Sequence, residues 1–494
     1  MTIALKNVSF SYTESLDDAI IRNLNFEIKS GECVVLVGES GCGKTTISKL
    51  INGLIPLYQS GTMSGDVLLD DKNTADMTLA EISRHVGSVF QNPRSQFFNI
   101  DTDSEIAFGC ENLGMDPEEI RERMNRVVKD FHIEHLAGRN IFHLSGGEKQ
   151  KIACASVSAT DPEIFVLDEP SANLDLKTVA DLAGIIKFWK SRGKTVVIVE
   201  HRIHYLRDIA DRICYVKDGC IAHEWTPAEL EAKGPEYAAS LGLRCVNLKQ
   251  LGETEDAHRS LPRAVFRGGH DKKGFIATLN SFQGKQSLKE SLLFRDLHFA
   301  YNRKFPVLDI PELSLPRNQI TAIIGHNGAG KSTLAQVLCG LRGTWRQKRK
   351  ARKYGAYLIM QDVNHQLFTE SVLDEILLGM NPQDENIALE ILERLNLKEY
   401  ASCHPMALSG GQKQRVAIGS GVSSGREIVV FDEPTSGLDY RQMLAVSATL
   451  KKLAASGKTL LVITHDPEFI LNCCQSVIRM EHGKIAEQYL LQGN

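Results

Sequence analysis

The chain has 494 residues, with 57 Lys and Arg against 61 Asp and Glu, a formal net charge of −4 and 43% hydrophobic residues. That length suffices for roughly three domains of ordinary size, or two large ones, each with its own core. The near balance of charge excludes a global basic field for nucleic acid and an acidic, solvating chain. No apolar run approaches the roughly 20 residues of a membrane-spanning helix. The N-terminal MTIALKNVSF lacks a basic segment followed by an apolar one, so no secretory signal is read there. The 11 cysteines are odd in number and form no C-x-x-C pair, which fits free thiols in a cytosolic chain better than a metal or redox site.

The first strongly patterned segment is an apolar strand, Cys33 to Val37, running into the loop GESGCGKTT and then a helix beginning near Lys44. Strand, glycine-rich loop and helix in that order are the setting in which such a loop binds phosphate. Gly38, Gly41 and Gly43 let backbone N–H groups wrap the phosphates, and the helix N-terminus favours negative charge. Lys44 would reach the β and γ phosphates of a nucleotide, and the Thr45 hydroxyl would ligate Mg²⁺. Further along, four apolar residues, Ile164 to Leu167, end in Asp168 and Glu169. A buried strand ending in two acids suits Mg²⁺-ATP: the first carboxylate would hold the metal and the second would polarise the attacking water. Another strand, Thr195 to Val199, leads to Glu200 and His201, whose imidazole would contact the γ phosphate.

All of this recurs. GHNGAGKST supplies Gly325, Gly328, Gly330, Lys331 and Ser332; Ile428 to Phe431 ends in Asp432 and Glu433; Thr459 to Ile463 leads to His465; and LSGGEKQ at Leu144 returns as LSGGQKQ at Leu408. Ser145 to Asp168 and Ser409 to Asp432 each span 23 positions, and Asp168 to His201 and Asp432 to His465 each span 33. The earlier spacing differs: Lys44 to Gln91 is 47 positions and Lys331 to Gln361 is 30, a shortening expected to trim an antiparallel β insertion. The expected domains are residues 1–242, a connector over 243–290 without sustained periodicity, and residues 291–494. A basic run, Arg342 to Lys353, reads as a solvated loop, with RNA or anionic lipid as the alternative.

The order P-loop, Gln91, LSGGE, LDEP and His201, repeated as P-loop, Gln361, LSGGQ, FDEP and His465, resembles the ATP-binding-cassette (ABC) transporter ATPases. The resemblance covers nearly everything outside the connector and implies an α/β fold: two P-loop NTPase domains in tandem, each with a RecA-like core, an antiparallel β subdomain and a helical subdomain. It implies an ATP hydrolase in which the two halves form an intramolecular dimer around two ATP molecules, with Mg²⁺. One site would use Lys44, Thr45, Thr46, Gln91, Asp168, Glu169 and His201 with Ser409, Gly410 and Gly411. The other would use Lys331, Ser332, Thr333, Gln361, Asp432, Glu433 and His465 with Ser145, Gly146 and Gly147. In each, the catalytic pair would be Glu169 with His201 or Glu433 with His465. The metal would be held by Thr45, Gln91 and Asp168, or by Ser332, Gln361 and Asp432. Tyr12 and Tyr301 would stack on adenine or serve as ordinary strand aromatics. Glu148 replaces the usual Gln of the signature without removing a phosphate ligand.

Motor residues do not reveal what an ABC ATPase drives. After each Q-loop glutamine comes a second Gln, Gln96 or Gln366, then an apolar pair, Phe97-Phe98 or Leu367-Phe368, and an acidic start to an apolar helix. Similar segments occur in the ATPases of energy-coupling-factor (ECF) importers. The resemblance therefore implies the ATP-hydrolysing subunit of an importer for a vitamin or similar micronutrient, peripheral to the cytoplasmic face of the cell membrane. Its partners would be an ECF-type transmembrane T component and a substrate-binding membrane protein, with no nucleic acid. The apolar pairs would dock the membrane subunit or pack the helical subdomain. Alternatives are a soluble tandem ATPase acting on ribosomes, or the motor of a metal-ion or sugar transporter.

Overall fold

The computed structural model describes residues 1–172, 174–251, 291–302, 305–343 and 355–491. The chain divides into two compact units, one of Met1–Thr254 with Gly437–Arg441 and the other of Glu255–Ser436 with Gln442–Asn494. From residue 252 onward the connector lies outside the described residues, as do Asn173 and residues 344–354, which take in most of the basic run.

In the first unit, β1 (Ile3–Ser11), β2 (Ile21–Ile28), β4 (Thr62–Leu69) and β5 (Lys72–Asn73) form an antiparallel sheet in the order β2-β1-β4-β5. The second sheet contains β3 (Cys33–Val37), β6 (Val86–Val89), β7 (Ile164–Asp168), β8 (Thr195–Val199), β9 (Arg212–Lys217) and β10 (Cys220–Trp225) in the order β10-β9-β3-β8-β7-β6. All its pairings are parallel except β9 with β10.

The near-continuous apolar runs of β3, β7 and β8 follow from burial on both faces. Successive side chains divide between two cores. Cys33, Val35, Val37, Phe165, Leu167, Val196 and Ile198 join one, with the helices Gly146–Ala159 and Leu176–Ser191. Val34, Leu36, Ile164, Val166, Val197 and Val199 join the other, with the antiparallel sheet and the helix Lys44–Ile51. Leu243 and Val246, at the start of the expected connector, are buried in the first of these cores.

In the second unit, β13 (Ile320–Ile324), β14 (Ala356–Ile359), β15 (Ile428–Asp432), β16 (Thr459–Ile463), β17 (Ser476–Glu481) and β18 (Lys484–Leu490) form a sheet ordered β14-β15-β16-β13-β17-β18. It repeats the first unit's order strand for strand. Among the described residues its antiparallel partner is the two-stranded β11 (Ser291–Asn302) and β12 (Phe305–Pro316). Both units thus have the two-sheet α/β architecture of a P-loop NTPase, with all strand C-termini of the parallel core at one end, where loop residues converge.

Candidate functional site

The first glycine-rich loop leaves the buried β3 through Gly38, at φ 151°. A Cβ there would lie 2.4 Å from the Val216 carbonyl oxygen. Gly43 caps the following helix at φ 107°, with Ile21 Cδ1 2.8 Å from where a Cβ would be. Larger residues at these two positions would push the loop off its course. Lys44 is buried, and its ammonium donates to the carbonyls of Gly38 at 2.9 Å and Glu39 at 2.8 Å. The second loop repeats this: Gly325 has φ 147°, and Lys331 donates to the carbonyls of Gly325 at 2.6 Å and His326 at 3.0 Å.

Beside the loop, Thr45 Oγ1 donates to Asp168 Oδ1 at 3.2 Å. Burial, reinforced by neighbouring Glu169, pushes the Asp168 carboxyl up to about 6. Burial also raises Asp432, against the hydrogen bond from Ser332 and the charge of Lys331. A desolvated carboxylate beside a hydroxyl is a hard-oxygen pair that a small divalent cation would relieve, so both donor sets fit Mg²⁺.

Glu169 gathers the other predicted residues. Gln91 Nε2 donates to its Oε2 at 2.6 Å, and His201 Nε2 stands 3.3 Å from its Oε1. In the second unit His465 Nε2 lies 3.5 Å from Glu433 Oε1, and Gln361 follows β14 on the exposed side. Both glutamates occupy left-handed backbone, φ 45° at Glu169 and φ 50° at Glu433, which costs a residue with a side chain on the order of 1 kcal/mol or more. Their N–H groups are pinned to the carbonyls of Val199 at 2.8 Å and Ile463 at 2.9 Å. Each carboxylate lies beside the histidine at the end of the neighbouring strand.

Tyr12 and Tyr301 occupy equivalent places. Each hydroxyl meets a threonine hydroxyl, Thr46 at 3.3 Å or Thr333 at 3.2 Å, and each ring meets a phenylalanine edge-on, Phe10 at 4.9 Å or Phe299 at 5.0 Å. Tyr12 is 42% exposed and Tyr301 57%. The Arg342 guanidinium lies 5.6 Å from the Tyr301 ring centroid, a contact the first unit's Tyr12 does not have among the described residues.

The signature residues begin helices. Ser145 and Ser409 each cap one, in reciprocal hydrogen bonding with Glu148 or Gln412. A Cβ on Gly146, Gly410 or Gly411 would meet nothing within 4 Å, whereas one on Gly147 would lie 2.6 Å from the Thr178 side chain. Gly147 is therefore required by packing against the helix Leu176–Ser191.

Two groups of residues escaped the sequence reading. Buried Glu105 accepts from the N–H groups of Phe98 at 3.0 Å and Asn99 at 2.8 Å; buried Glu375 accepts from those of Phe368 and Thr369, both at 3.2 Å. Each acid clasps the loop bearing a phenylalanine that is 75% or 73% exposed. The signal was an acid seven residues beyond each phenylalanine, read as a helix-start preference. The second group, Ser171, Glu200 and Tyr205, appears only when the two halves are compared position by position.

A family model described as ABC transporter matches residues 21–172 and 308–436. The chain belongs to the ABC transporter family. A Treponema denticola protein provisionally named an ABC transporter ATP-binding protein is 42% identical over 98% of this chain and 96% of its own length. A Bacillus subtilis protein, YkoD, carries the provisional name of an HMP/thiamine import ATP-binding protein and is 32% identical over 98% of this chain and 90% of its own. Among solved structures, a complex of the archaeal ribosomal stalk protein aP1 with the archaeal ribosome recycling factor aABCE1 matches 99% of this chain and 90% of that one, with TM-score 0.61 and 20% identity, a likeness of fold. With two ABC ATPase domains, the chain is an ATP-hydrolysing ABC transporter ATP-binding protein of P-loop NTPase fold. ABC ATPases bind ATP and use Mg²⁺, in keeping with the oxygen donors beside each loop.

Proposed function

We propose that this chain is the ATP-hydrolysing subunit of an ECF-type importer for a vitamin or similar micronutrient, working through a separate transmembrane subunit. The observation that carries the reading is the repeated, glutamate-clasped loop behind each Q-loop glutamine. Phe98 and Phe368 stay largely in solvent on loops whose N–H groups are held by the buried acids. Ile100 and Phe142 add exposed apolar surface in the first unit, 65% and 72% exposed. Such a surface suits a short amphipathic helix of a membrane subunit. Among the described residues no helix is long and apolar enough to cross a membrane, so the translocation path belongs to that other chain. The likeness to a provisionally named HMP/thiamine import protein favours a vitamin or its precursor as cargo.

In this reading Lys44 and Lys331 bind phosphate. Thr45 and Asp168, with Gln91, and Ser332 and Asp432, with Gln361, hold Mg²⁺. Glu169 and Glu433 polarise water while His201 and His465 orient the γ phosphate. Tyr12 and Tyr301 stack on adenine. The signature residues Ser145–Gly147 and Ser409–Gly411 bind the nucleotide held by the opposite half's loop, so ATP favours closure and hydrolysis releases it. The chain sits at the cytoplasmic face of the membrane, with a T component and a substrate-binding membrane protein and no nucleic acid. Purification of the tagged chain from native membranes tests this: membrane subunits are expected alongside it, and recovery of ribosomes without any membrane subunit contradicts it.

A further inference from the structure

The two halves carry the same kinds of group at the proposed phosphate and metal positions, Thr45 and Ser332 both supplying a hydroxyl, yet differ just behind the histidine. In the first unit Glu200, buried at the end of β8, accepts three hydrogen bonds. Its Oε1 takes one from the Ser171 hydroxyl and one from the Tyr205 hydroxyl at 3.1 Å; its Oε2 takes one from the His201 N–H at 3.1 Å. The Glu200 N–H continues the sheet by donating to the Leu36 carbonyl at 3.1 Å. Ser171 is two residues past Glu169, so one carboxylate joins the segment behind the proposed general base to the main chain of the histidine.

The corresponding residues of the second unit are Thr435, Thr464 and Phe469. None can rebuild the link. Thr464 is short and uses its hydroxyl to accept from the Asp466 N–H at 3.1 Å. Phe469, fully buried, has no hydroxyl, and among the described residues the buried Thr435 hydroxyl has no hydrogen-bond partner. Three positions have changed together, from a connected polar set to an unconnected, more apolar one. A buried carboxylate costs several kcal/mol unless well paired, so its presence in one half alone calls for a role specific to that half.

We propose that Glu200 is a positioning residue of the first ATP site, tying the segment behind Glu169 to His201 through a link that the second site lacks. The inference rests on the assignment of Glu169 and His201 to that site made above. The link depends on charge. As a carboxylate Glu200 accepts from all three donors; protonated, one of its oxygens carries a proton that must itself be donated, so the set of three acceptances to Oε1 and Oε2 is disturbed. Burial pushes the Glu200 carboxyl up to about 7. Facing it are Glu169 from the end of β7, whose charge opposes ionisation, and Arg202, whose charge favours it; His201 is beside it in the chain. Tyr205 is held well above its ordinary value and Cys33, from β3, is pushed up to about 12, so both stay neutral; Arg244 lines the same small cavity. The first site therefore tightens as pH rises through about 7, and the second is indifferent to that step.

The test compares kcat and KM for ATP between pH 5.5 and 8.5, on a scale of about 3 pH units around neutrality, in three forms of the full-length chain. These are wild type, Glu200→Gln, and the variant Ser171→Thr/Glu200→Thr/Tyr205→Phe, which carries the set the second half already folds with. Wild-type kcat is expected to contain a limb rising through about pH 7. Both variants are expected to lose that limb with KM unchanged. If the triple variant does not fold by thermal unfolding, the isosteric Glu200→Gln gives the same reading. A wild-type profile without the limb, or a folded variant that keeps it, overturns the proposal. Glu169→Gln is the control: if it leaves turnover unchanged, the assignment of the site itself fails, whereas a control that loses turnover beside an unaltered Glu200→Gln profile overturns the positioning role alone.

Discussion

Gln91 donates from Nε2 to Oε2 of Glu169 over 2.6 Å, while His201 approaches the other oxygen of the same carboxylate at 3.3 Å. Glu169 is thus flanked on both carboxylate oxygens. Because Gln91 belongs to the segment leading to the exposed Phe98, the contact also provides a route by which the proposed membrane partner would influence the proposed general base. Replacing Gln91 with Ala removes the orientation but leaves the phosphate loop intact. Turnover is expected to fall about tenfold with little change in KM for ATP, measured by steady-state phosphate release.

Asp168 links function to stability with a definite sign. Its carboxyl is raised from 3.8 to about 6 in the folded chain, so the native state holds a proton that the unfolded state releases in that window. The unfavourable contribution is absent below pH 3.8, grows between 3.8 and 6, and is fully present above 6. Asp168→Asn is expected to stabilise the chain without nucleotide at pH 8, by on the order of 3 kcal/mol, and to leave it unchanged near the lower end of the window. Thermal unfolding at the two pH values measures this. The same variant is expected to lose Mg²⁺-dependent ATP hydrolysis.

Neighbouring signature glycines should separate packing from ligand contact. Gly147→Ala drives a methyl group against Thr178, and is expected to destabilise the chain by about 1–3 kcal/mol in denaturant unfolding. Gly146→Ala meets open space and is expected to leave stability within about 0.5 kcal/mol while weakening ATP binding. Isothermal titration with ATP distinguishes the two.

The exposed phenylalanines give a third kind of outcome. Phe98→Asp with Phe368→Asp changes side chains that are mostly in solvent, so folding and basal ATP hydrolysis are expected to persist. Copurification of membrane subunits is expected to be lost. Glu105→Ala, which frees the clasped loop, is expected to weaken that association without altering the phosphate site.

The parallel core was legible from the sequence because its strands are continuous apolar runs ended by glycine or acid. Cys33–Val37, Thr195–Val199 and Thr459–Ile463 fall where the periodicity puts them, and the helix starts at Lys44. The glycine-rich loops and the strand-end acids were legible for the same reason: short-range loop chemistry fixes their spacing. What stayed hidden depends on side chains distant in the chain. Glu105 reads as a helix-start acid until its acceptance from Phe98 is seen. That Gly147 is also needed for packing is hidden until Thr178 is seen beside it. Glu200 is an unremarkable residue next to a histidine until Ser171, 29 positions away, closes on it.

Two working ATP sites in one chain, each with its own general base, are what the proposed function requires. Its most direct test is steady-state ATP hydrolysis by full-length Glu169→Gln and Glu433→Gln, each prepared alone. Each substitution is expected to remove about half or more of the turnover; a chain in which one of them leaves turnover at the wild-type rate contradicts the claim.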